Sequence, residues 1–156
     1  HDALPIFGAR LSGSKGAAEA VEYTKRQLES LGLDKVYLQE VMVPHWVRGE
    51  KETAFILDGK VKTTVPICAL GGSVATPKTG LTAEIIEVQG IKELGELGAD
   101  KVKGKIVFYN RPMDPTQIRT FNSYGGAADQ RVYGPSKAAE YGAVAAIVGL
   151  GILLKK

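Results

Sequence analysis

The chain has 156 residues, 44% of them hydrophobic, enough for one domain with a real core. Its 20 Lys and Arg stand against 17 Asp and Glu, a net charge of +3, and the two signs are interspersed, which argues against a nucleic-acid surface. One cysteine, Cys68, excludes an internal disulfide framework, and no run approaches the ~18 apolar residues of a membrane span.

The chain opens at His1 rather than Met and shows no signal peptide, so it is expected to be processed or cut from something longer. Residues 4–10 are a short lead-in, followed by Leu11-Ser12-Gly13-Ser14-Lys15-Gly16. A serine there is positioned to cap a helix over 17–31. Ala17, Val21, Thr24, Leu28 and Leu31 make one apolar stripe, and Glu22 and Arg26 stand in the favourable i, i+4 order on the other face. Gly32 ends the helix. A strand is expected over 35–43, with Val36, Leu38 and Met42 on one face.

Pro44-His45-Trp46 interrupts that strand and marks a candidate domain boundary, with His45 and Trp46 as junction residues. Next, 53–57 and 60–65 flank Asp58-Gly59, the signature of a hairpin with a type I′ turn. Pro66 stops the second strand. A loop over 70–80, a strand over 82–88 and a helical turn over 91–97 weakened by Gly95 lead into the central unit.

That unit begins with Gly104-Lys105-Ile106-Val107-Phe108-Tyr109, a buried-strand pattern. A long connection of little periodicity runs over 110–135, then a short helix over 136–141 closed by Gly142, then a second apolar strand over 143–148. Strand, crossover and strand are the ingredients of a parallel pair. Long connections on such a pair often carry function.

Chemistry-bearing patterns are sparse. A zinc site needs several converging ligands, and the chain offers His1 and His45 only. No Gly-x-Ser-x-Gly elbow presents a serine to His45. Cys68 reads as a small buried apolar residue. Gly149-x-Gly151 lacks a third glycine and a following helix, and Gly104-Lys105 leads into a strand with Ile106 where Ser or Thr should stand, so a nucleotide or phosphate binder is disfavoured. Arg111, Arg119 and Arg131, with Tyr124, Tyr133, Asp114 and Asp129, crowd the long connection. Solvated Arg–Asp pairs and a binding surface both explain that density.

Val102-Lys103-Gly104-Lys105-Ile106-Val107-Phe108, followed by Ala138-Ala139-x-x-Gly142-Ala143-Val144-Ala145-Ala146-Ile147-Val148, resembles the protease-associated (PA) domain. Upstream, Arg10-Leu11-Ser12-Gly13-Ser14-Lys15-Gly16, the amphipathic helix and Leu31-Gly32 resemble the entry to the zinc exopeptidases of metallopeptidase family 28. Those enzymes commonly carry a PA domain after an initial helix and strand, the order found here. The segments 41–50 and 70–77 also look like a bacterial branch of that family. Two features depart from the pattern: the Arg-Gly-x-Cys-x-Phe turn is replaced by Asn110-Arg111-Pro112-Met113-Asp114, and the tail from Gly149 does not match the family's continuation.

The resemblance implies an α/β fold: a PA-like mixed sheet or open barrel with flanking helices, preceded by the helix and strand of a truncated peptidase domain. The division would be 1–43 for the peptidase part and 44–156 for the PA part. It also implies a parent that is a zinc-dependent aminopeptidase or carboxypeptidase, secreted or periplasmic, whose zinc ligands and glutamate base lie outside this chain. No cofactor and no catalytic or metal residue is expected here. Expected partners are the parent's catalytic domain and a peptide substrate, with self-association through the apolar helix face or an open sheet edge; residues 152–154 would serve as a substitute strand. Arg111, Arg119, Tyr124, Asp129 and Arg131 are the cleft candidates, and a stand-alone peptide-binding module is the alternative reading.

Overall fold

A computed structural model describes residues 7–149, so the tail with its expected strand, and His1, lie outside the described residues. The chain forms two compact units, 1–75 and 76–156. That division falls at 75/76, downstream of the 43/44 boundary expected from the Pro44 interruption.

In the first unit, helix α1 runs Lys15–Ser30, and the serine that caps it is Ser14, whose Oγ accepts the Ala17 N–H at 3.2 Å. Leu31 closes it and Gly32 follows at φ +72°. The ion pairs that form along α1 are Lys15–Glu19 and Lys25–Glu29, both i, i+4; Glu22 and Arg26, expected in that role, are not among them. Residues 35–43 form no strand. Their alternation is real, but a strand also needs a hydrogen-bonded neighbour, and no ladder includes them among the described residues. Instead Val36, Tyr37 and Leu38 lie beside Ala20, Val21, Thr24 and Leu28 of α1, lining a shallow apolar concavity of about 290 Å³. The α1 stripe is otherwise open, with Leu31 72% exposed.

Strands β1 (Ala54–Asp58) and β2 (Val61–Val65) form the expected antiparallel hairpin, ending before Pro66. Asp58 pairs with Val61, so the turn residues are Gly59 and Lys60 rather than Asp58 and Gly59. Only Gly59 has positive φ, at +56°. That is the type II′ pattern, with glycine at the first central position, and it replaces the type I′ turn expected from the sequence.

The second unit holds the core. Strands β3 (Ile85–Val88), β4 (Ile106–Tyr109) and β5 (Ala145–Val148) form a parallel sheet in the order β3-β4-β5. Ile85 pairs with Ile106, and Ile106 with Ala145. Helix α2 (Ile91–Val102) is two short helical stretches joined at a kink, where Gly98 leaves the helical conformation at φ +71°, so helix continues past the single turn expected over 91–97. Val88, Leu94, Val102, Val107, Tyr109 and Ala138 form the buried cluster, so β3, α2, β4 and the last helix close on one another. The 110–135 connection is largely helical: α3 spans Thr120–Ala127, α4 spans Asp129–Val132 and α5 spans Gly134–Glu140. Gly142, at φ +78°, ends this run as expected. The result is a mixed α/β fold of small sheets with flanking helices, the class expected from the sequence. Among the described residues no helix is long and apolar enough to cross a membrane.

Candidate functional site

In a parallel sheet the connections leaving the carboxyl ends of the strands form the usual ligand-facing edge. Here β4 is the middle strand, and the chain leaves it through Asn110 and Arg111. The Asn110 N–H donates to Val88 O at 2.9 Å and its Nδ2 to Glu87 Oε1 at 2.7 Å, extending the contact with β3. Arg111 then meets α4. Its N–H donates to Gln130 Oε1 at 3.3 Å, its carbonyl accepts from Gln130 Nε2 at 2.8 Å, and its guanidinium pairs with Asp129. Gln130 is fully buried. The Arg111 Nε is buried without a hydrogen-bond partner.

The next turn is organised by Asp114. Its carboxylate accepts from Gln117 Nε2 at 3.0 Å and from the Thr116 N–H and Oγ1 at 2.9 and 2.7 Å. These donors, Gln117 foremost, hold its carboxyl below the usual range. The buried Ser123 donates its hydroxyl to Asp114 O at 2.6 Å, which ties α3 to the turn. Arg111, Met113, Asp114, Gln117, Asn122 and Ser123 thus line a concavity of about 280 Å³.

Of the five cleft candidates, the structure joins four in two pairs. Arg111 and Asp129 hold one another, as the reading of structural Arg–Asp pairs expects. Arg131 donates to Tyr124 OH at 3.1 Å and is exposed. Arg119 stands at the N-cap of α3 with no side-chain cap bond, exposed and apart from both pairs. Two neighbours escaped the sequence reading. Ile118 is 100% exposed and Phe121 82% exposed, and the Phe121 ring centroid lies 6.3 Å from that of Tyr124. Apolar residues inside a polar connection were the available signal. Gln130, also missed, carried none, since a lone Gln in such a segment reads as solvated.

The junction candidates serve the first unit. A Cβ on Gly13, whose φ is +76°, would come within 2.8 Å of His45 Cβ, so the two segments touch closely. Trp46 Nε1 donates to Ser73 O at 3.0 Å, and Arg48 stacks over the indole at 5.1 Å. Arg48 also pairs with Glu52 and donates to Ala69 O at 2.8 Å, while the Ala69 N–H donates to Glu52 at 2.9 Å. Backbone donors, its own and that of Ala69, and then Arg48 lower the Glu52 pKa. Both flanks of the hairpin are clasped together. Cys68 is exposed rather than buried, since it follows the hairpin in a unit with no buried residue among those described.

Among the described residues no three His, Cys, Asp or Glu side chains converge as a metal site. The chemistry on offer at the β4 edge is binding and orientation, through guanidinium, phenol and amide groups. No protein-family model matches the chain. Two relatives are the carboxypeptidase Q of Xenopus laevis, 41% identical over 152 residues (95% of this chain and 30% of that protein), and that of Bos taurus, 39% identical over 145 residues (93% and 28%). A solved structure described as a Peptidase M28 precursor from Shewanella amazonensis SB2B superposes with a TM-score of 0.75 at 34% identity, covering 94% of this chain and 32% of that one. The chain spans less than a third of each of these proteins, and over that span it is a relative of the M28 peptidases.

Proposed function

We propose that the chain is a non-catalytic part of a zinc-dependent exopeptidase, comprising the entry helix of the peptidase domain and a PA domain. In the parent, residues 110–135 would overhang the substrate cleft. The observation that supports this best is likeness to carboxypeptidase Q along 93% of the chain, within only 28% of that protein. The described residues do not fit a zinc site, so the ligands and base of peptide hydrolysis are assigned to the rest of the parent. This chain's contribution would be to hold peptide: Arg131 has a planar fork of donors suited to a carboxylate or a peptide carbonyl, and Tyr124 adds a ring face and a hydroxyl. That the chain's relatives are carboxypeptidases favours action at a carboxyl end. The family resemblance favours a secreted or periplasmic setting.

The test is kinetic, in the complete peptidase that carries this segment. Arg131→Ala should raise KM, or lower kcat/KM by about tenfold, the effect of losing one charge-assisted contact, with thermal stability and zinc content nearly unchanged. A fall in stability with unchanged kinetics per folded molecule would make Arg131 only a structural partner of Tyr124. A native protein carrying this segment with no peptidase attached would favour a stand-alone binding module.

A further inference from the structure

Helix α4 is a single turn, too short to hold its own shape, yet it presents Arg131. Three consecutive residues show how. Asp129 takes the Arg111 guanidinium, Gln130 takes both backbone polar groups of Arg111, and Arg131 faces solvent and reaches Tyr124 OH. The Gln130 amide works as a neighbouring strand would, one acceptor and one donor matched to one N–H and one C=O. Reversing the amide would set donor against donor. The guanidinium is also confined by the start of α2: a Cβ on Gly90 would lie 3.0 Å from Arg111 Nη1. A continuous path therefore runs from the end of β4 through Arg111 to Gln130, then along α4 to Arg131 and across to Tyr124.

We propose that Gln130 and the Arg111–Asp129 pair are positioning residues, which fix Arg131 and Tyr124 relative to the edge of the parallel sheet. This assigns Arg111 and Asp129, two of the five cleft candidates, to support rather than substrate contact. It rests on the cleft reading above and names how that surface is held.

A double-mutant cycle in the complete peptidase tests it, assayed at a temperature where every variant is folded by circular dichroism. Gln130→Leu keeps the volume and removes both bonds. It should lower kcat/KM for a peptide substrate by about tenfold, as misplacement of a contact residue does, and should cause no further loss in an Arg131→Ala background. Losses that simply add would show that Gln130 acts independently of Arg131 and overturn the proposal. So would a lowered Tm with unchanged kcat/KM per folded molecule. If Gln130→Leu does not fold, Asp129→Asn carries the same cycle with a smaller loss, since that pair is partly exposed, and additive losses again overturn the proposal. Unchanged kinetics in Arg131→Ala alone would instead remove the cleft reading, and this proposal with it.

Discussion

Among the described residues Tyr109 is the largest side chain wholly removed from solvent, and its hydroxyl donates to the Gly134 carbonyl at 2.7 Å. Burial pushes its pKa up to about 12, from 10.0. Below pH 10 the phenol is protonated folded or unfolded, so stability is intact; it is lost as pH climbs from the unfolded value through the folded one. Urea denaturation from pH 8 to 12 should show a decline that Tyr109→Phe lacks. At neutral pH the same variant should cost about 0.5–1.5 kcal/mol, the net contribution of one hydrogen bond. Gly134 is the other half of this contact: a Cβ there would lie 2.8 Å from Tyr109 Cε2. The ring is held by its own hydrogen bond to that residue, so Gly134→Ala should destabilise by about 1–3 kcal/mol through overpacking, read as a lower urea midpoint. The strand pattern made Tyr109 legible as a strand end. Gly134 was not, because Gly-Pro ahead of a helix reads as punctuation, and its need to be small comes from a ring 25 residues upstream.

Elements were legible where local chemistry decides them. Helix α1 has a capping serine, a stripe and a terminating glycine, and it formed within two residues of the expected span. Strands β3 to β5 kept their β-branched runs but were trimmed to the residues that pair. Helices α3 and α4 were illegible: Gly125 and Gly126 lower helix propensity and no apolar stripe shows, while the ties that hold them, Ser123 to Asp114 and Gln130 to Arg111, are tertiary. The 35–43 strand failed for the converse reason, a good local pattern without a partner. Gly98 gives the clearest test at this scale. Its φ is +71° and an added Cβ would meet nothing within 4 Å, so Gly98→Ala isolates backbone strain. With ψ at 175°, that conformation is essentially reserved for glycine, and a loss of about 1–3 kcal/mol in chemical denaturation is expected; no loss would mean that α2 straightens when the glycine is removed.

At the scale of the whole molecule, the buried residues all lie in the second unit, and none lies among the described residues of the first. Local opening free energy follows buried apolar contact. Limited proteolysis of the isolated chain should therefore cut within 7–75 first and leave a resistant piece from 76 onward; cuts spread evenly over both would contradict this. The same isolated chain should hold no stoichiometric zinc by atomic absorption and hydrolyse no peptidyl reporter, and chelator-sensitive turnover would refute its assignment as non-catalytic. The relation to M28 peptidases was legible because the motifs that carry it are local runs, such as 10–16 and 102–108. Not legible were the ties by which Trp46, Arg48 and Glu52 bind 46–52 to 69–73 within the first unit, because they join residues far apart in the chain. The proposed function has the connection leaving β4 face the substrate of a peptidase. Amide hydrogen exchange of the complete enzyme, with and without a non-hydrolysed peptide analogue, checks this. Ligand-dependent protection concentrated over 118–133 is the expected result, and protection elsewhere with none over 118–133 would contradict it.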